Sequence, residues 1–328
     1  MRYLRQEIFS EIGKKGQKRL KENSVAIIGV GALGTVSADL LVRAGVGKLV
    51  LIDRDIVELS NLQRQSLFDE SDVGKPKAIA ASEKLRKINS EIEIKFFCDD
   101  LNFENIGKLI PAKKIDLILD CTDNLETRFL LNDYCVKNKI PFIYSASVGS
   151  RGYVFNVVPK SNTACLKCFL NNAVSNETCE TTGVLNSLTH IIASISSNEA
   201  IKILIGKDFE KSLLFFDVWK NELSKINVKK SRNCDCCARK NFEYLLGKKS
   251  SQAIKMCGSE IYQIKSKSLD KKQFSEIKSG LGKIGKVIDF GNCIIFEGKI
   301  TLFSDGRALI KAKDEKEAKS LYSKFIGN

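Results

Sequence analysis

The chain has 328 residues and a formal net charge of +14, with 53 Lys and Arg against 39 Asp and Glu. That length suits one large α/β domain with a smaller one beside it, and no segment approaches the ~20 apolar residues that a bilayer-spanning helix needs. The opening stretch MRYLRQEIFS lacks an apolar signal core, so the expected location is cytoplasmic, without a membrane.

Residues 1–24 are polar and partly helical by pattern. Arg2 and Arg5 stand three apart on one helical face, which reads most simply as a solvated basic face. An apolar run, Val25–Ile28, then meets Gly29, Gly31 and Gly34. A helix over Thr35–Ala44 and a second run, Leu49–Ile52, lead to Asp53. This is a strand, a glycine turn, a helix and a parallel strand ending in an acid, the pattern of a nucleotide site. Free N–H groups at the start of the helix face phosphates, and Asp53 is placed to accept hydrogen bonds from ribose hydroxyls. The unit fits NAD as well as ATP or AMP. No Walker loop is present: the single G-x4-G-K match, Gly280 to Lys286, is followed by Val287 rather than Ser or Thr.

Beyond Asp53 come Asp55 and then Asn61, Arg64 and Gln65, amide and guanidinium groups just past a strand's C-terminal end. Open parallel sheets bind ligands at that edge, and a guanidinium there can grip phosphate oxygens bidentately. The alternative is an ordinary surface loop. Lys77 opens a helix over Ala78–Ile88, against the helix dipole, a conflict that an anion at the helix start would relieve. A strand over Ile92–Phe97, a helix over Phe103–Leu109 and a buried strand over Ile115–Asp120 follow. The last runs into Asp120-Cys121-Thr122-Asp123-Asn124. Asp123 is a candidate Mg²⁺ ligand beside nucleotide phosphates, with Asn124 a candidate nucleotide contact, and Asp123 can equally cap a helix running from Asn124, a role compatible with the first.

The strand Ile140–Ala146 and the alternation through Tyr153–Val158 give a doubly wound sheet with an antiparallel extension. The chain has 11 cysteines, an odd number that in the cytosol argues for metal ligands and reactive thiols rather than disulfides. Cys165 and Cys168 form one CxxC, Cys234 and Cys237 another. Two such pairs supply four thiolates to a structural Zn²⁺, leaving Cys236 spare; a redox-active pair is the competing reading. Cys179 lies in the polar stretch 171–182 and is either an accessible nucleophile or an inert thiol. A helix over Ser187–Ile205 contains the only histidine, His190, expected to be a packing residue. Strands at Leu213–Val218 and Asn221–Val228 precede a linker at Leu246–Ser251. The remainder alternates strand (Ile261–Ile264), helix (Asp270–Leu281), strands (Gly291–Phe296, Ile300–Phe303, Ala308–Ala312) and helix (Lys316–Phe325), a small α+β module. The expected domains are therefore 1–246 and 252–328.

The motifs GVGALG, LVLIDRDIVELSNLQRQ, VGKPKA, DLILDCTDNLETR, CETTGV and the two CxxC pairs, in this order, resemble the ThiF/MoeB/HesA family, relatives of the ubiquitin-activating enzymes. The resemblance runs from Arg2 to the CDCC at Cys234. Ala32 departs from it, standing where the family often has a second adjacent glycine. The resemblance implies a Rossmann-like fold and ATP- and Mg²⁺-dependent adenylation of the C-terminal glycine of a small ubiquitin-like sulfur-carrier protein ending in GlyGly. It implies that Gly29, Gly31 and Gly34 hold the nucleotide, Asp53 the ribose, and Asn61, Arg64 and Lys77 the phosphates, with Asp123 on Mg²⁺. It further implies a homodimer in which Arg5 reaches the partner's triphosphate, and a carrier-linked thiol role for Cys179 in ThiF-like members. The tail is not rhodanese-like, so sulfur is expected from a separate donor protein. Aromatic residues are not interleaved with the basic ones, which argues against nucleic acid. Two rival readings are a nicotinamide-dependent oxidoreductase, which leaves the Arg64–Lys77–Asp123 set unexplained, and a non-enzymatic adaptor.

Overall fold

A computed structural model describes residues 2–170, 182–249, 261–265, 269–291 and 293–327. It divides into two compact units, 1–250 and 251–328.

The first unit is built on an eight-stranded sheet: β1 (Ser24–Ile28), β2 (Lys48–Ile52), β3 (Glu93–Phe97), β4 (Leu117–Asp120), β5 (Phe142–Val148), β6 (Arg151–Val157), β7 (Leu213–Asp217) and β8 (Glu222–Ile226). The order across the sheet is β3-β2-β1-β4-β5-β6-β7-β8. The first five strands are parallel, and β6 to β8 run antiparallel. The order reverses between β1 and β4, and such a reversal opens a crevice at the carboxyl ends of those two strands.

The central strands are apolar throughout because both faces are covered. Val25, Ile27, Leu49, Leu51, Leu117 and Leu119 belong to one core, shared with α2 (Gly13–Glu22), α3 (Ala32–Ala44), α4 (Lys77–Ile88) and α8 (Asn186–Ile205). Ala26, Ile28, Val50, Ile52 and Ile118 belong to the other, shared with α5 (Ile106–Leu109), α6 (Leu125–Asn138), α7 (Leu166–Leu170) and the cysteine cluster. Each fully buried Leu or Ile contributes about 1.5–3 kcal/mol.

The glycine-turn helix begins at Ala32, not Thr35, because Gly31 itself serves as its N-cap residue. The helix expected over Phe103–Leu109 is a single turn, Ile106–Leu109. His190 is half-buried rather than a core residue, with Nδ1 2.8 Å from the Asn186 carbonyl oxygen.

The short helix α1 (Leu4–Ile8) is docked through polar groups. Asn89 Nδ2 donates to the Tyr3 hydroxyl at 2.8 Å, Gln6 Nε2 to the Ala44 carbonyl at 2.8 Å, and Arg2 to the Ile88 carbonyl at 2.9 Å. Those partners mark the C-terminal ends of α3 and α4. Arg2 is thereby used as a fastening, whereas Arg5 stays exposed.

The second unit is a five-stranded antiparallel sheet, ordered β10-β11-β12-β13-β9, from β9 (Ile261–Lys265), β10 (Val287–Asp289), β11 (Cys293–Phe296), β12 (Ile300–Phe303) and β13 (Arg307–Lys311). Strand β10 is an addition to the sequence reading. Its three residues end at Asp289 and show too short an alternation to be recognised. Helices α9 (Lys271–Gly282) and α10 (Glu315–Phe325) share a core with Ile294, Phe296, Ile300, Leu302, Ala308 and Ile310. Among the described residues, no helix is long and apolar enough to cross a membrane.

Candidate nucleotide site and cysteine cluster

The glycines at the crevice do different work. Gly29 has φ +84°, and a Cβ there would stand 2.7 Å from the Cys121 carbonyl oxygen. A Cβ on Gly34 would stand 2.0 Å from the Gly29 carbonyl oxygen, so glycine alone lets α3 close onto the turn. Around Gly31 the nearest atom to an added Cβ is Gln65 Nε2 at 3.7 Å. Its surroundings are open, and what its lack of a side chain provides is access to backbone.

Asp53, at the tip of β2, is almost fully buried. Its carboxylate accepts from Val30 N at 2.6 Å and Asp55 N at 2.8 Å, tying the glycine turn to the loop after β2. Burial pushes this carboxyl above its usual range, against the pull of Lys77. The Lys77 ammonium lies 3.2 Å from Asp55 Oδ2. Burial alone would lower its pKa, but Asp55 and Asp53 outweigh that and hold it above the ordinary lysine value. The anion that offsets a lysine at the start of α4 is therefore Asp55.

Arg54, passed over in the sequence, is a fourth charge here. Nη1 is 3.1 Å from Asp100 Oδ1, and Nε is 3.7 Å from Asp55 Oδ1. Burial works against its charge, and Asp100, Asp55 and Asp123 together more than offset this. The signal was available: Arg54 lies between two strand-tip acids.

Asn61 is buried in a 3₁₀ turn over Leu59–Asn61, where its Oδ1 accepts from Glu58 N at 3.3 Å. Gln65 is buried, and its Oε1 has no hydrogen-bond partner among the described residues. Arg64 is half-exposed, with Nη1 donating to the Ser60 carbonyl at 3.1 Å.

Asp123 is exposed, in the loop joining β4 to α6, and its charge reaches both Lys77 and Arg54. It does not cap α6. The helix starts at Leu125, and Asn124 caps it by accepting from Thr127 N at 2.8 Å. Asn124, expected at the nucleotide, spends its side-chain oxygen on that cap. Arg5 is not gathered into this group. It sits at the far ends of α3 and α4, and the 12 residues of α4 separate those ends from Lys77 by about 18 Å. Cys179 lies outside the described residues.

The cysteine cluster is at the other edge of the sheet, past the end of β6 at Val157, which pairs with Phe142 at the start of β5. The sulfurs of Cys165, Cys168, Cys234 and Cys237 all lie within 4.8 Å of one another. Cys165–Cys234 and Cys168–Cys237 are each 3.5 Å apart, and Cys165–Cys168 is 3.9 Å. A tetrahedral site with zinc–sulfur bonds of ~2.3 Å has sulfur–sulfur edges of roughly 3.8 Å. Hydrogen bonding among the thiols pulls Cys165 down and pushes Cys168 up to about 11. Four sulfurs this close together suit a divalent cation, which lets all four ionise. Cys236 is buried beside them, and Asn132 Nδ2 donates to its sulfur at 3.2 Å.

The model of the ThiF family matches residues 3–238. This chain belongs to the ThiF family. It is 42% identical over 336 aligned positions to the sulfur carrier protein ThiS adenylyltransferase of Bacillus subtilis (strain 168), covering 99% of both chains. The ThiS adenylyltransferase of Escherichia coli (strain K12) is 34% identical, over 74% of this chain and 96% of its own. The adenylyltransferase and sulfurtransferase MOCS3 of Culex quinquefasciatus is 38% identical over 72% of this chain, which spans only 54% of that longer protein. Among solved structures, E. coli MccB with ATP superposes with a TM-score of 0.64 at 25% identity, over 72% of this chain and 74% of its own.

Proposed function

We propose that the chain is an ATP-dependent adenylyltransferase that activates the C-terminal glycine of a ThiS-type sulfur-carrier protein. The single observation that supports this most is the gathering of the glycine turn, Gln65, Asp53, Asp55, Lys77 and Asp123 at one sheet edge, in a chain that matches a ThiS adenylyltransferase end to end.

In this reading the start of α3, which no side chain caps, and the open backbone at Gly31 receive the phosphates. Asp53 turns to the ribose, and Asn61, Gln65 and Asp55 orient the nucleotide. Lys77 and Arg64 exchange their present partners for phosphate oxygens. Asp123, with Asn124 beside it, is the residue that would hold a Mg²⁺ ion, which would supply positive charge for the leaving pyrophosphate. The carrier carboxylate oxygen bonds to the α-phosphorus as the bond to the bridging oxygen breaks, and pyrophosphate leaves with the electron pair. No proton moves, so fixed positive charge is the main requirement. Arg5, remote from its own site, serves the site of a partner copy in a homodimer.

The Cys165–Cys168–Cys234–Cys237 set acts as a zinc staple. Cys179 is the candidate thiol for linking to the carrier, sulfur is supplied by a separate donor protein, and residues 252–328 form an accessory domain. The carrier's pathway is thiamine synthesis, with molybdopterin synthesis as the variant. Pyrophosphate–ATP exchange tests the proposal: it should occur only with a ThiS- or MoaD-type carrier added. Absence of exchange with every such carrier overturns it.

A further inference from the structure

The loop that carries Asp123 is held by a buried ion pair that the proposed chemistry does not use. Asp120, the last residue of β4, is 0% exposed. Its Oδ1 accepts from Thr122 N at 2.9 Å and Thr122 Oγ1 at 2.7 Å. Its Oδ2 takes no hydrogen bond from the described residues and faces Arg128 Nε at 3.7 Å. Arg128, one turn into α6, donates through Nη2 to the Thr122 carbonyl at 2.6 Å and lies over the Tyr144 ring at 5.1 Å. Cys121 N donates to the Ile28 carbonyl at 2.9 Å, and Asn124 is committed to its cap. The backbone on both sides of Asp123 is therefore fixed, while its own carboxylate stays exposed.

A turn of this shape needs only an acceptor after the strand, and asparagine provides one as well as aspartate does. The charge is what remains to be explained. A buried carboxylate opposite a guanidinium at 3.7 Å is a poor source of stability, and its evident effect is on where Arg128 points. A guanidinium released from Asp120 has a second carboxylate on the same loop to go to, Asp123.

We propose that Asp120 and Arg128 are positioning residues, with Asp120 holding the Arg128 guanidinium on Thr122 and away from Asp123, so that the Asp123 carboxylate is kept for a divalent cation. This rests on the adenylation reading above. Neither residue is among those proposed to hold the nucleotide; both act through the loop between them.

The test is ATP binding by the full-length chain, measured by calorimetry across a MgCl₂ series and without Mg²⁺. For Asp120→Asn the half-saturating Mg²⁺ concentration should rise at least fivefold, with Mg²⁺-free ATP affinity unchanged within twofold. Adding Arg128→Gln to that variant should recover most of the loss, because the released cation is what competes. A purely structural role would weaken both titrations together and would gain nothing from the second substitution. An Asp120→Asn protein with the wild-type Mg²⁺ requirement overturns the inference. If that variant fails to fold, Arg128→Lys takes its place, since one ammonium cannot serve Thr122 and Asp120 together. A threefold rise supports the proposal and the wild-type value overturns it. Wild-type protein that binds ATP with no response to Mg²⁺ would remove the adenylation reading itself, a separate failure.

Discussion

The two edges of the large sheet solve opposite problems. At the carboxyl edge Asp53, Asp55, Lys77, Arg54 and Asp120 are charges packed into low dielectric, each offset by a neighbour and several displaced in pKa. At the other edge four sulfurs from segments 69 residues apart form one compact cluster. The first arrangement sacrifices stability for a prepared site. The second brings four thiols close enough to share one cation, which would tie those segments together.

The contrast is broken most severely at the sulfur edge. Replacing Cys165 or Cys237 by Ala should abolish metal binding and unfold the 230–249 region, since structural zinc is worth on the order of 10 kcal/mol in small domains. Metal analysis should return one zinc per chain in the wild type. Cys236→Ala should retain it, because that thiol stands outside the four.

Next in size is Lys77→Ala. Exchange activity should fall by about 10²–10³-fold, the effect of removing one fixed stabilising group from a transition state. The melting temperature should drop as well, because Asp53 and Asp55 lose their counter-charge.

Third is Asp120, whose carboxyl burial pushes up to about 6, partly opposed by Arg128 and Thr122. The folded state favours its neutral form. Its contribution is therefore fully present below the unfolded carboxylate pKa and lost as pH rises through about 6, some ~3 kcal/mol in all. Denaturant titrations at pH 4.5 and pH 8 should show Asp120→Asn gaining stability relative to wild type at the higher pH. Equal differences at both would contradict the assignment.

The smallest effects separate the glycines. Gly34→Ala forces a methyl onto the Gly29 carbonyl and should cost about 1–3 kcal/mol, as overpacking does. Gly31→Ala has room and should melt within a degree or two of wild type, with its loss confined to nucleotide affinity. Melting curves alongside ATP titrations distinguish the pair.

Much of this was legible before any coordinates. The apolar runs at Val25–Ile28 and Ile115–Asp120 read as buried strands, and the two CxxC motifs read as one four-thiolate set with a redox pair as the competing reading. Asp123 and Asn124 show where legibility stopped. Both residue types cap helices, and only the φ and ψ of the folded backbone assign the cap to Asn124 and free Asp123. Lys77 is similar: its conflict with the helix dipole was visible, but the acid that resolves it lies 22 residues earlier. His190, expected to pack, is only half-buried, because its apolar helix keeps an exposed face at Ile191, Ser194 and Asn198.

What the sequence determined by itself was periodicity, glycine placement and ligand spacing, because these act through neighbours within a few residues and carry their physical cause with them. What the tertiary structure decided was which charges meet: Asp53 with the Val30 amide, Lys77 with Asp55, Asp120 with Arg128, Arg5 with nothing in its own site. Electrostatic partners are chosen by proximity through space and by the exclusion of water, and neither exists until the sheet has closed and its edge has formed.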